Sequence, residues 1–426
     1  MDHANPHEVT MNIVFACFCA FLPTLHAENW PSWRGPRGDG SSIEKGIPVT
    51  WSATQNIAWK APLAVKGHSS PIVWGNNVYL TGCDEQTHER AVMAFDLTTG
   101  KQLWKQVCLV ADLEKKHPEN SFSSATPATD GAKVYVSFLA YPQVHLFCYS
   151  VSGELLWRAN PGPLLSRHGF CSSPMLFGNT VILNCDQDGD GYIVALDKTT
   201  GKQQWRIARP NKTRSYCTPF FFEDPDRPGK TQMVLSGSKC VASYDAATGE
   251  QLWLYPGPTE QYVASPVRGK DGVLFLSTGF PEFHLMGFRS NGRGTIGKEH
   301  VAWHIHHRDN GPKGAAYVPS PIAYKDWFYV VSDVGYIGCI EGATGKRLWL
   351  EKLGKHHHAS PVLVNDRIYV PDDSGTTWVL KAGPVFEVLA KNELKEEIYA
   401  SPAISQGRLL LRSRDQLWCV FDPAGQ

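Results

Sequence analysis

The chain has 426 residues, of which 14 are Trp, 15 Tyr and 19 Phe, with 38 Gly and 29 Pro. Only 19% are charged, and 41 basic side chains balance 41 acidic ones. So many aromatics with so few charges exclude a disordered chain, and the Glu/Lys/Leu bias of a coiled coil is missing. A nucleic-acid partner would call for a basic excess that is not there. Many short strands joined by tight turns are what this composition fits.

In chain order, the first feature is the apolar run Ile13 to Leu22, followed by Leu25-His26-Ala27. It reads as a signal peptide over residues 1–27, although no Lys or Arg precedes Arg34 to charge its front. Its length falls short of the ~20 residues that cross a bilayer. No later segment is apolar enough to span one, and an exported protein, periplasmic or extracellular, is expected. An extended segment is expected over 28–56. Nine cysteines follow the leader, an odd number that cannot all pair within one chain, and they form no C-x-x-C or C-x-x-C-H set.

From residue 57 onward the sequence repeats itself. A small hydroxyl residue followed by Pro recurs at Ser70, Thr126, Ser173, Thr218, Ser265, Ser320, Ser360 and Ser401. Successive prolines are 56, 47, 45, 47, 55, 40 and 41 residues apart. Most copies lead through a polar turn into a β-rich run, such as Val78-Tyr79-Leu80 or Ile368-Tyr369-Val370. A second signature follows: Ala94, Asp96, Thr99-Gly100-Lys101 and Trp104, repeated at Ala195 to Trp205, Ser243 to Trp253 and Cys339 to Trp349, with a degraded copy at Cys148 to Trp157. The glycine suits a turn that other residues resist. The Trp, four positions later, is placed to pack between units. Units of 40–50 residues with four strands each are propeller blades. The prediction is all-β: an eight-bladed β-propeller of four-stranded antiparallel blades over 57–426. The eighth unit lacks a Trp strand of its own. Ile57-Ala58-Trp59-Lys60 is expected to supply it and close the ring, leaving no open sheet edge.

The Ala-x-Asp-x-x-Thr-Gly-Lys-x-x-Trp unit resembles the repeat of pyrroloquinoline-quinone (PQQ) type propellers, a group that includes quinoprotein alcohol dehydrogenases and BamB. The stretch Trp30-Pro-Ser-Trp-Arg-Gly-Pro-Arg-Gly-Asp-Gly40 resembles the opening of exported PQQ-binding-like β-propeller repeat proteins. The resemblance implies the fold. For function it implies either a scaffold in the cell envelope or a dehydrogenase of alcohols or sugars that uses PQQ and Ca²⁺. The adjacent-cysteine pair, haem site and long insertions of the dehydrogenases are absent from this sequence.

In such a ring the residues just before each Ser/Thr-Pro surround one mouth of the axial channel. This places His68, Arg167, His168, Arg214, Tyr216, Tyr262, Tyr317, His357, His358 and Tyr399 in a funnel that suits a planar or anionic small ligand, or a glycan. Asp186, Asp188 and Asp190 alternate as in the first half of a calcium loop, but strand-like flanks favour an ordinary hairpin. Gly292-Arg-Gly294-Thr-Ile-Gly297 has G-x-G-x-x-G spacing without the strand and helix that would make it a dinucleotide site, and reads as an insertion in the fifth blade. His304 and His306 share a strand face, and His356-His357-His358 adjoin, yet no neighbouring carboxylate or Cys completes either set for a metal. With no G-x-S-x-G or H-E-x-x-H motif, the expectation is a non-catalytic scaffold that binds an envelope protein or a small ligand. A monomer without a membrane span is expected.

Overall fold

The computed structural model describes residue 1 and residues 27–423, so the expected leader lies outside the described residues except for Met1 and Ala27. Residues 57–420 form eight sheets. Blades 1 to 7 follow one another in sequence, over 72–110, 128–163, 175–208, 220–256, 267–305, 322–352 and 362–393. Blade 8 takes its three inner strands from 403–420 and its outer strand from Ile57–Pro62. That outer strand runs antiparallel to Gln416–Val420, with Lys60 opposite Trp418, so the ring closes by the N-terminal strand as expected. No helix of the described residues is long and apolar enough to cross a membrane.

A blade alone would leave both faces of its sheet wet, so the core consists of layers between blades. Ile72 and Tyr79 of blade 1 pack with Val134 and Phe147 of blade 2. Phe275 of blade 5 packs with Phe328 and Ile340 of blade 6. The repeated signature locks these layers together. The indole N–H of Trp59 donates to Leu97 O of the next blade at 2.8 Å, that of Trp104 to Val151 O at 3.0 Å and that of Trp157 to Lys198 O at 3.0 Å. Each ring also slides beneath the next blade's Thr-Gly or Ser-Gly turn. A Cβ on Gly100, whose φ is +71°, would meet the Trp59 ring at 2.5 Å, and one on Gly345, φ +74°, would meet Trp303 at 2.6 Å. Glycine is needed there twice over, for the left-handed backbone and for the close approach.

The Ser/Thr-Pro repeats form a belt around the axis. The amide of Ser70 donates to the hydroxyl of Thr126 at 2.9 Å and that of Thr126 to Ser173 at 3.0 Å. The series continues from Thr218 to Ser265, Ser320, Ser360 and Ser401 at 2.9–3.0 Å. A small hydroxyl recurs because each one satisfies a buried amide of the neighbouring blade.

Residues 28–56 pack against this ring along their length. Trp30 exchanges backbone bonds with Val73 of blade 1, and Pro31 O accepts from Thr129 N of blade 2. Ser41–Ser42 pairs with Leu363–Val364, the innermost strand of blade 7. The buried Arg34 guanidinium donates to Pro361 O at 2.7 Å, Pro321 O at 2.5 Å and Asp39 O at 2.7 Å. The Trp-Arg-Gly-Pro stretch therefore plugs the channel. The insertion of blade 5 docks as well: Gly294–Thr295 adds a parallel fifth strand to blade 4 beside Trp253–Leu254.

Candidate functional site

Above the hydroxyl belt the channel opens into a cavity of ≈ 620 Å³ at one mouth. Belt residues such as Ser70, Thr126 and Ser360 and the plug residue Trp33 line its base. Of the funnel residues read from sequence, His68, His168, Arg214, Tyr216, Tyr317, His358 and Tyr399 line it. Arg167, Tyr262 and His357 do not. Arg167 is exposed. Tyr262 is fully buried and donates its hydroxyl to Gly257 O at 2.7 Å. His357 is fully buried, with Nδ1 2.8 Å from Pro371 O. Extended backbone alternates its side chains. Gln261 and Val263 therefore face the cavity where Tyr262 does not, and His356 and His358 face it where His357 does not.

The ionisable groups of the funnel fall on two sides. On one, the Arg214 guanidinium is held by Asp188 at 2.6 Å, and the His117 and His168 rings stack at 5.6 Å. Burial, with Arg214 nearby, keeps the His168 imidazole below its usual pKa. On the other, His358 and His68 both pack on Tyr399 with ring centroids 4.8 Å away. Burial drives the His68 pKa down to about 3, with Arg412 and His358 adding to the effect.

The Asp373 carboxylate organises this second side. One of its oxygens lies 2.7 Å from His356 Nδ1 and 2.8 Å from His358 Nδ1, and its other oxygen accepts the His358 amide at 2.9 Å. Burial works against the charged His358 ring, but Asp373 and Glu119 outweigh it and raise its pKa. Asp373 moves the other way, since its two histidine partners outweigh burial and lower it. Across the mouth, Glu119 reaches His358 Nε2 at 3.4 Å. Glu119 comes from the loop between blades 1 and 2, the longest repeat interval of the sequence, and that length was the one signal that could have pointed to it. Asp333, half-buried and accepting the amides of Tyr317 and Val318 at 2.7 and 3.0 Å, completes the acidic lining, its pKa raised by desolvation.

The three aspartates with calcium-loop spacing do not converge. Asp186 is buried against Arg209 at 2.8 Å and accepts the Ser215 hydroxyl at 2.6 Å. Asp188 pairs with Arg214, and Asp190 with Lys212 at 2.8 Å. Each carboxylate answers a different cation, as a hairpin needs and a calcium shell does not. Calcium takes six to eight oxygens, whereas the sets of three potential metal ligands that converge among the described residues each contain two or three imidazoles. The nine cysteines of the described residues are all free, and Cys148 and Cys339 are fully buried small core residues.

Both histidine motifs find the partners that their sequence neighbourhoods lacked. Glu119 joins His356 and His358, with one ligand atom of each within 4.8 Å of the others. On blade 5, His284 joins His306 and His307 in the same way, and His284 Nδ1 lies 2.9 Å from His304 Nε2. The partners come from other strands or other blades, where no local spacing could reveal them.

The family model described as "Outer membrane protein assembly factor BamB" matches residues 45–138, 88–279, 299–384 and 335–425. A curated protein of that description from Burkholderia pseudomallei (strain K96243) is 24% identical over 372 residues, 84% of this chain and 85% of the relative. The crystal structure of BamB from Moraxella catarrhalis covers 86% of this chain and 97% of its own, with a TM-score of 0.60 at 14% identity. A quinohemoprotein alcohol dehydrogenase from Comamonas testosteroni covers 92% of this chain and 80% of its own, with a TM-score of 0.63 at 13% identity.

Proposed function

Because the chain belongs to the outer membrane protein assembly factor BamB family, we propose that it is a binding scaffold of the cell envelope that holds a protein segment or a small ligand at its funnel and carries out no turnover. The observation behind this reading is the funnel itself. Its ≈ 620 Å³ cavity is floored by the hydroxyl belt and by Trp33 and rimmed by rings and ionisable side chains. A concave, partly apolar site with a few convergent polar groups is the usual form of a binding site. The exposed Phe280 lines its rim, as an aromatic anchor at an interface would.

Photo-crosslinking in cells tests the scaffold. A benzophenone side chain at Phe280 is expected to yield one discrete adduct in the envelope fraction. The same probe at Val385, exposed and outside the cavity lining, is expected to yield none. Equal labelling at both positions would overturn the reading. Recovery of the protein from the cytosol with its leader intact would overturn the location, and PQQ- and Ca²⁺-dependent dye reduction with alcohols or sugars would overturn the absence of turnover.

A further inference from the structure

Three elements from distant parts of the chain meet at one side of the funnel. His356 and His358 stand two residues apart on the loop entering blade 7, so their side chains leave extended backbone on the same face. Their rings lie 4.6 Å apart. Asp373, from the hairpin beyond, takes Nδ1 of both, at 2.7 and 2.8 Å. A ring that gives its Nδ1 proton to a carboxylate keeps a lone pair at Nε2 and has its orientation fixed. This is the arrangement that metal-binding imidazoles adopt, with the carboxylate behind them. Glu119 arrives from the opposite loop with its carboxylate 3.4 Å from His358 Nε2.

We propose that Glu119, His356 and His358 bind a divalent transition-metal ion in the funnel, with Asp373 as the positioning residue for both imidazoles. Two imidazoles and a carboxylate suit zinc, cobalt or nickel rather than calcium or magnesium, which take oxygen shells. The ligand atoms already lie within 4.8 Å of one another. A tetrahedral site with ~2.0 Å bonds needs them about 3.3 Å apart. Glu119 is 53% exposed, so its side chain is free to make that adjustment. With three protein ligands, one position stays open toward the cavity. The proposal deepens the funnel reading and rests on it for the class of ligand: an anion that can coordinate the metal, such as a carboxylate group. The blade-5 histidines are arranged differently: His284 meets another imidazole, His304 Nε2, at 2.9 Å with one nitrogen and Glu282 at 3.1 Å with the other.

The mature protein, stripped with a chelator and titrated with Co²⁺, reports the site through the visible absorption of the bound ion, and Zn²⁺ is expected to displace it. One ion per chain is expected. His356→Ala and His358→Ala should each abolish saturable binding, and Asp373→Asn should weaken it 10- to 100-fold with its thermal melt still cooperative. His306→Ala/His307→Ala should bind as the unaltered protein does. A folded protein that takes up no Co²⁺ would overturn the proposal. So would binding that survives His358→Ala and is lost in His306→Ala/His307→Ala. The titration contains no partner protein, so a negative result leaves the crosslinking test at Phe280 untouched, and a missing adduct at Phe280 leaves the metal site standing.

Discussion

The two halves of the central channel are built from the same eight inner strands and treat their polar groups in opposite ways. In the plugged half, the Arg34 guanidinium meets three carbonyls. Trp30 is buried to 1% exposure, with its backbone bonded to Val73 of blade 1. Burial still lowers the Arg34 pKa to about 10, because carbonyl dipoles replace only part of the hydration a cation loses. In the open half, rings and carboxylates pair across loops, and His356 keeps a nitrogen free of any protein partner. The difference teaches where stability and function lie in a repeat protein. The belt and plug hold the ring together through hydrogen bonds to neighbouring blades. The loops above the belt carry the side chains whose pairing is incomplete, and a ligand can use those.

That contrast is broken if damage at the plug and damage at the mouth have the same consequence. Trp30→Ala is expected to cost about 3–5 kcal/mol, the usual range for removing a buried aromatic side chain, read as a shift in the urea midpoint at constant m-value. His356→Ala at the rim is expected to change stability by no more than about 0.5 kcal/mol. Equal losses would mean that the mouth is as structural as the plug. Gly345→Ala tests the seam between blades 5 and 6. It places a Cβ 2.6 Å from the Trp303 ring at a φ of +74°, and about 2–3 kcal/mol should be lost through strain and overpacking. Ser360→Ala probes the belt more gently. It removes the acceptor of the buried Ser320 amide, an unsatisfied donor worth about 1–2 kcal/mol.

The propeller was legible in the sequence because its physics is periodic. Each Ser-Pro, each Thr-Gly turn and each Trp answers the same neighbour in every blade, so eight copies reinforce one reading. Even the closing strand at Trp59 followed from the one unit that lacked it. The plug was not legible, since Trp30 to Gly40 occurs once and its partners, Pro321 and Pro361, lie about three hundred residues away. In the funnel, positions counted back from each proline lead to loops that line the cavity. Tyr262 and His357 were misplaced by one residue, where strand alternation decides. Glu119 and Asp373 were missed because they sit outside that register and meet the histidines only in three dimensions.

The smallest expected effect separates by pH two histidines on the same side of the funnel, His358 and His68, which both pack on Tyr399. His358 has a raised pKa in the folded protein, so its favourable pairing is fully present below the unfolded value, near 6.5, and fades as pH rises through the folded one. Asp373 has a lowered pKa, so its share is present above about 4 and is lost as pH falls through its folded value. Their joint contribution is therefore greatest between roughly pH 4 and 6.5. His68 acts in the opposite sense. Its pKa of about 3 keeps the folded protein from taking a proton that the unfolded chain accepts, so it costs stability as pH falls below 6.5. His358→Gln should steepen the acid-side loss of stability, and His68→Phe should flatten it, in denaturation midpoints measured from pH 4 to 8. Parallel profiles for the two variants would mean that Asp373 does not distinguish the two histidines that flank Tyr399, and the contrast between a carboxylate-paired imidazole and a neutral one would fail.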